Sequence, residues 1–148
     1  MKMSVKVEGL SQLDAALGEL KASTAKGVLR RVGRKALEPF DEAWRLKAPH
    51  LSHALQESGG VGSRLTRTQR AAIERQSFVE VHAGPGAVPQ AVQQEFGNQH
   101  HPAQPFVRPA WEETKHQVLE GVASELGDEI ARTAARAAKR ALKLAAKG

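Results

Sequence analysis

Cysteine is absent from the 148-residue chain, and aromatic residues are few: four Phe, two Trp and no Tyr. The missing thiols exclude cysteine catalysis and disulfide frameworks, and they are compatible with a reducing compartment. No apolar run approaches membrane-spanning length, and the first residues, Met1 to Lys6, lack the hydrophobic core of a signal peptide. We therefore expect a protein that is made and used without export and without a membrane.

Signatures of catalysis are also missing. The chain has no phosphate-binding glycine loop, no nucleophile elbow and no dinucleotide fingerprint. Glu112 and Glu113 are adjacent acids, but they fall where a helix begins, and carboxylates there complement the helix dipole. Three or four imidazoles, from His50, His53 and the pair at 100–101, could bind zinc, yet no cysteine or carboxylate accompanies them at the spacing of a recognisable site. We expect no enzyme, no metal, no cofactor and no small-molecule substrate.

The net charge of +6 is unevenly distributed. Residues 1–131 contain sixteen Lys and Arg against sixteen Asp and Glu, whereas residues 132–148 contain six cations and no acid. We therefore divide the chain into one domain, residues 1–131, and a basic, alanine-rich helical tail, residues 132–148. The tail could contact DNA or an acidic partner, or it could be a solvated helix end. Its cations are Arg132, Arg136, Lys139, Arg140, Lys143 and Lys147.

Three prolines stiffen residues 101–112, here called the proline arm, before the longest helix-forming run. A residue before proline is pushed towards extended conformations, so we expect Arg108 to be non-helical and a helix to run from Pro109 to about Ala146. Phe106 and Trp111 either pin the start of this helix to the core of the domain or pack on a neighbouring subunit.

The predicted helix is roughly 57 Å long at 1.5 Å per residue. Beyond Ile130 it is almost all alanine and cations, which support a helix but bury little surface, so this end should project and meet a partner. The apolar face consists of Trp111, Val118, Val122, Leu126 and Ile130.

Period-two alternation predicts strands at residues 4–9 and 76–85, and the second is the better pattern. Between them, Ser11 is placed to cap a short helix. A longer helix that ends near Ala48 should kink or divide at Pro39, because proline removes a backbone hydrogen bond.

Residues 50–76 contain a glycine cluster that opposes regular structure, so we expect a basic loop or an irregular hairpin there. Pro89 opens a short segment in which Gly97 or Asn98 takes a left-handed turn. The predicted fold class is α+β: a small antiparallel sheet packed against helices, with a long C-terminal helix.

Five segments follow one another along the chain: Val5-Lys6-Val7-Glu8-Gly9-Leu10, Lys47-Ala48-Pro49, Val81-His82-Ala83-Gly84-Pro85, Gln94-Glu95-Phe96-Gly97-Asn98 and Gln104-Pro105-Phe106-Val107-Arg108-Pro109-Ala110. In this order they resemble the neck and tail-completion family of long-tailed bacteriophages, the minor tail components of lambda-like and HK-type phages. The resemblance covers nearly the whole chain. The chain departs from it after Pro49, where relatives usually show a Thr-Gly and arginine-containing turn, and the basic tail has no counterpart in the family pattern.

The resemblance implies a structural virion protein, made in the host bacterial cytoplasm, that forms a homo-oligomeric ring at the head–tail joint. Its partners are then head-connector or head-closure proteins, the tail terminator or tail tube proteins, and the tail is a candidate for non-specific contact with packaged DNA. Neck protein, tail terminator and head-closure component all remain open, as does the subunit number. The expected subunit interface consists of Glu95, Phe96, Gly97, Gln104, Pro105, Phe106, Arg108, Pro109 and Trp111.

A DNA-binding or DNA-packaging accessory protein is the alternative interpretation. It would use residues 132–147 together with residues 30–35 of the preceding basic helix. High affinity for duplex DNA that falls steeply with salt favours this alternative, whereas ring assembly indifferent to DNA favours the structural role.

Overall fold

A computed structural model describes residues 10–49, 53–72 and 79–148 of the chain. Within these ranges the elements are α1 (Leu10–Gly18), α2 (Ala22–Ala36), α3 (Glu38–Lys47), α4 (His53–Glu57), β1 (Gly60–Gly62), α5 (Arg67–Ala72), β2 (His82–Gly84), α6 (Pro89–Phe96) and α7 (Val107–Ala146). The two strands pair antiparallel, with Val61 opposite Ala83. The predicted α+β class, with its small antiparallel sheet and long C-terminal helix, is confirmed.

Pro39 divides the predicted second helix in two. It lies in the first turn of α3, where a missing backbone N–H costs nothing, and Leu37 joins the end of α2 to the start of α3. The buried side chains nevertheless continue at four-residue spacing across the division. The two helices therefore present one continuous apolar face, consisting of Val28, Val32, Ala36, Phe40 and Trp44.

Helix α7 packs antiparallel against α2 and α3 and covers this face. Ion pairs join Arg31 to Glu129 at 2.9 Å, Lys35 to Glu125 at 2.8 Å and Lys47 to Glu113 at 2.7 Å. Residue numbers therefore rise along α2 and α3 where they fall along α7, which shows the antiparallel direction. The core has two parts. One contains Val28, Val32, Leu126 and Ile130, and the other contains Phe40, Trp44, Ala48, Leu55, Ala91, Phe106, Ala110 and Val118.

The start of α7 differs from the prediction. The helix begins at Val107, so Arg108 is helical, because a glutamate on α6 accepts hydrogen bonds from the first backbone N–H groups and fixes the turn ahead of Pro109. The buried face is also rotated slightly: Ala110 and Thr114 are buried, whereas the predicted Trp111 is 41% exposed.

The expectation of a loop or irregular hairpin at residues 50–76 is wrong for the described part, which forms α4, β1 and α5. The glycines permit close approach of two backbones here: a Cβ on Gly59 would lie 2.0 Å from the carbonyl oxygen of Gly84. Gln56 donates to the carbonyl oxygen of Arg45 at 2.9 Å, and Ser58 Oγ accepts from the backbone N–H of Gly86 at 3.0 Å. These contacts join residues 53–62 to two other elements, α3 and β2, and patterns within a short stretch of sequence do not predict such contacts.

Over its described part, residues 79–85, the predicted strand is shorter than expected. Within that part only His82–Gly84 forms a strand, since its partner β1 has only three residues. Val81 packs instead near Gly33 of α2. Residues 76–78, and the predicted strand at residues 4–9, lie outside the described residues. Ser11 is inside α1, which begins one residue earlier, so its predicted role as the N-cap is wrong.

We expect the domain to fold without its tail. Neither part of the core extends beyond Ile130, so deletion of residues 132–148 removes little buried apolar surface. Thermal unfolding should show a loss of about 1 kcal/mol or less, equivalent to about 2–4 °C in Tm. Deletion of residues 120–148, which also removes Leu126 and Ile130, is the control and should abolish cooperative unfolding. Equal damage from the two deletions would contradict the domain boundary.

Candidate interaction site at the junction of α6 and α7

Glu95 connects α6 to the start of α7. Its carboxylate is buried, with the residue 5% exposed, and it accepts hydrogen bonds from the backbone N–H groups of Phe106 at 2.8 Å, Val107 at 2.9 Å and Arg108 at 3.1 Å. The first N–H groups of a helix have no partner within the helix, and the dipole there favours an anion. A side chain on one helix thus caps another, and we call this arrangement the Glu95 clasp.

Arg108 completes the clasp from the solvent side. Its Nε donates to the Glu95 carboxylate at 2.9 Å, and its second guanidinium nitrogen donates to the Glu95 carbonyl oxygen at 3.1 Å. The guanidinium also lies over the Phe96 ring, 5.0 Å from the ring centroid. Arg108 therefore joins the buried carboxylate to an aromatic side chain that is itself 65% exposed.

Burial by itself raises the pKa of Glu95, since a charged carboxylate is poorly solvated there. The hydrogen bonds from the backbone of Phe106 and Val107, and then from Arg108, act in the opposite direction and outweigh burial. The pKa of Glu95 is consequently below its ordinary value, and the residue is ionised at neutral pH.

The connection between α6 and α7 is ordered by its own hydrogen bonds. Gly97 has φ 74° and ψ 175°, a region open essentially to glycine alone, so the expected positive φ occurs with an extended ψ. Asn98 Oδ1 accepts from the N–H groups of His100 and His101, both at 2.8 Å. The N–H of Gln104 donates to the carbonyl oxygen of Gln94 at 2.7 Å, which returns the chain to α6.

The two large aromatics of the proline arm have different roles. Phe106 is 1% exposed and packs on Trp44, with ring centroids 6.3 Å apart, so it belongs to the core of the chain. Trp111 places its ring edge-on to Phe40 at 5.6 Å and keeps one side in solvent. Of the expected interface residues, Glu95 and Phe106 are buried, Gly97 and Pro109 are half-buried, and Phe96, Gln104, Pro105, Arg108 and Trp111 are exposed.

A mostly apolar groove of about 570 Å³ lies beside the clasp. Its walls come from the segment 85–89, from α6 and from the start of α7, with Thr66 and Gln69 on the far side. Val92 and Phe96, one helical turn apart on α6, are 61% and 65% exposed at this groove. Sequence reasoning missed Val92, although its four-residue spacing from Phe96 is the signal of a shared helix face.

None of the other predicted site residues that the structure describes lines this groove. His53 is exposed on α4, His100 and His101 are exposed in the α6–α7 connection, and His50 is not described. Across the described ranges, no three His, Asp or Glu side chains are close enough together to hold a metal ion. None of the described helices combines the length and the apolar character needed to cross a membrane. The six tail cations occupy the exposed end of α7.

Comparison of the chain with protein-family models, with curated proteins and with solved structures finds no match.

Glu95→Gln should destabilise the fold by about 1–3 kcal/mol, because one carboxylate oxygen and the negative charge at the start of α7 are both lost. A group whose pKa is lowered by folding stabilises the protein above its unfolded pKa, about 4.3 for Glu, and loses this effect as pH falls through the native pKa. The difference in unfolding free energy between wild type and variant, measured with urea, should therefore be largest near neutral pH and shrink below about pH 4.

Glu112→Gln is the matched control, since Glu112 is an exposed acid in the same helix that forms an ion pair with Lys115 three residues away. It should change stability by less than about 0.5 kcal/mol. A pH-independent difference for Glu95→Gln, or equal effects of the two variants, would contradict the clasp.

Gly97→Ala should also destabilise the protein. The backbone conformation at Gly97 is unfavourable for any other residue, and an added Cβ would lie 2.7 Å from the backbone nitrogen of Ala103. We expect a loss of about 1–3 kcal/mol in thermal or urea unfolding. Gly18→Ala, where the new methyl group meets nothing within 4 Å, is the control and should be neutral or slightly stabilising. A neutral Gly97→Ala would show that the connection adapts.

Proposed function

We propose that this protein is a structural component of a tailed-phage virion, which forms a homo-oligomeric ring at the head–tail joint and helps to connect the head connector to the tail tube. In this role it has no catalytic activity. It works in the virion, after synthesis in the host cytoplasm, and contacts itself, the head-connector or head-closure proteins, and the tail terminator or tail tube proteins.

The observation that carries the proposal is the pair of unlike exposed surfaces at opposite ends of α7. At one end Val92 and Phe96 flank the apolar groove beside Arg108; at the other Leu142 and Leu144 are exposed among cations. The two ends lie roughly 51 Å apart along the helix, at 1.5 Å per residue from Arg108 to Leu142. A head-to-tail ring needs two different surfaces on each subunit, whereas a twofold dimer uses one surface twice.

The segments that carry the phage resemblance support the same proposal. Glu95, the N–H groups of Phe106 and Val107, and Arg108 meet in one clasp, although they come from two separate segments of the chain. The clasp fixes the helix that presents Val92 and Phe96 to solvent. A rigid surface loses little conformational entropy on docking, which favours its use as a subunit contact.

Self-association tests the proposal most directly. Native mass spectrometry of the purified protein, with negative-stain imaging, should show a closed ring rather than a monomer. Imaging of virions that carry a labelled copy should then place it at the joint between head and tail. A monomer at every concentration, or a label elsewhere in the virion, would contradict the proposal.

Val92→Ser combined with Phe96→Ser should weaken self-association by about tenfold or more, because burial of one large apolar side chain contributes about 1.5–3 kcal/mol. Sedimentation velocity over a concentration series is the measurement, with circular dichroism to verify the fold. Leu46→Ser is the control, since Leu46 is 78% exposed on α3 and does not line the groove. Phe106→Ala is not a suitable probe, because loss of this buried ring destabilises the fold itself by about 3–5 kcal/mol.

Equal association of the double variant and the Leu46 control would exclude the groove from the subunit contact.

A further inference from the structure

The six cations of the tail lie on one side of α7. At 3.6 residues per turn, Arg132, Arg136, Lys139, Arg140, Lys143 and Lys147 fall within an arc of about 100°, over a length of roughly 22 Å. We call this row the cationic stripe. The residues that continue the core face of α7, such as Ala137 and Ala141, fall beside the stripe and border the α2 side of the helix together with Arg136 and Arg140.

Among the described residues, most of the stripe has no acidic partner. Arg132 donates to the carbonyl oxygen of Asp128 and lies 3.7 Å from the carboxylate of Glu129, which also pairs with Arg31. Beyond it, in the part of the chain that the structure describes, no carboxylate forms an ion pair with Lys139, Arg140, Lys143 or Lys147. All four are exposed. The stripe thus presents, on one side of a rigid rod, four positive charges that no described carboxylate pairs with.

Two cations of the stripe lie next to the body of the protein. Arg136 and Arg140 line a groove of about 660 Å³ between α7 and the start of α2, together with Lys21 and Arg31. Glu19 is the acid in this groove. Positive charge therefore outweighs negative charge among the residues that line the groove, even though Arg31 is neutralised by Glu129.

We infer that the cationic stripe binds the phosphate backbone of duplex DNA without sequence preference. A straight row of cations matches a regularly spaced polyanion, and Lys and Arg contacts to phosphate carry affinity without reading bases. The stripe contains no aromatic side chain on which unpaired bases could stack, and no Asn or Gln that could read a base edge. Its apolar neighbours are limited to Leu142 and Leu144, too little for insertion into a bilayer surface. The inference does not depend on ring formation.

Fluorescence anisotropy with a labelled 30-base-pair duplex tests it, at salt concentrations from 50 to 200 mM. Four to six phosphate contacts predict a slope of log K against log salt between roughly −3.5 and −5.5, or about a hundredfold loss of affinity or more across this range. The triple variant Lys139→Gln, Arg140→Gln, Lys143→Gln should reduce the slope by about 3. Two duplexes of unrelated sequence should bind within about threefold of each other, and a single strand of the same length should bind more weakly.

The matched control is Arg64→Gln, Arg67→Gln, Arg70→Gln, which removes the same charge from exposed positions at and beside α5. It should leave the slope unchanged. Equal losses in the two triple variants would show that net charge, and not the stripe, governs binding, and this would overturn the inference. So would an absence of DNA binding at 50 mM salt, tighter binding to the single strand, or binding to anionic vesicles in place of DNA.

Self-association of the same variants, measured in parallel, separates this inference from the proposed ring. A tail variant that forms rings normally but binds DNA weakly supports the inference and leaves the ring intact. A tail variant that loses self-association while its DNA binding is unchanged would overturn the inference and assign the stripe to an acidic surface of a second copy.

Discussion

The buried carboxylate of Glu95 at the first turn of α7 is the contact on which the arrangement of the C-terminal half depends. It satisfies three backbone N–H groups that have no partner within their own helix, and its position fixes α6 relative to α7. Burial of a lone carboxylate is unfavourable, yet these donors and Arg108 outweigh that cost, as the lowered pKa of Glu95 shows. The apolar groove exists because this junction is held in one geometry.

The charged residues of α7 differ between the part that packs on the domain and the part that projects from it. The part that packs on α2 and α3 carries its acids at positions that pair with cations across the helix contact, such as Glu113, Glu125 and Glu129. The part beyond Ile130 carries cations alone and packs little. The first part of the helix is therefore packed against the core with its acids in ion pairs, whereas the last part is exposed and positively charged.

Periodicity along the chain predicted the elements that depend on local sequence. The long helix, the division at Pro39 and the positive φ of Gly97 follow from side-chain spacing and from the backbone restrictions of proline and glycine. The structure of the described part of residues 50–76 did not follow from local sequence, because α4 and β1 depend on contacts with two other elements, α3 and β2, that period-based patterns do not detect. Glycines that usually interrupt regular structure instead allow two backbones to meet.

The candidate site could be predicted only in part, for the same reason. Sequence patterns marked Glu95, Phe106 and Arg108 as important, but they could not tell that the first two are buried and that only the third reaches solvent. One sequence motif can therefore contain both buried residues, which hold the local structure in place, and exposed residues, which are available to a partner. Val92, which has no motif around it, is part of that surface through its position one turn from Phe96.

The two proposals reinforce each other through electrostatics, although neither requires the other. Cationic stripes on neighbouring subunits repel each other only within about 8 Å at physiological ionic strength, so a ring that spaces them more widely loses little stability. Such a ring also presents several stripes to one polyanion, and linked sites bind far more tightly than each does alone. The assembled ring therefore has a much higher affinity for DNA than a single subunit has, although each subunit makes only a weak, sequence-independent contact.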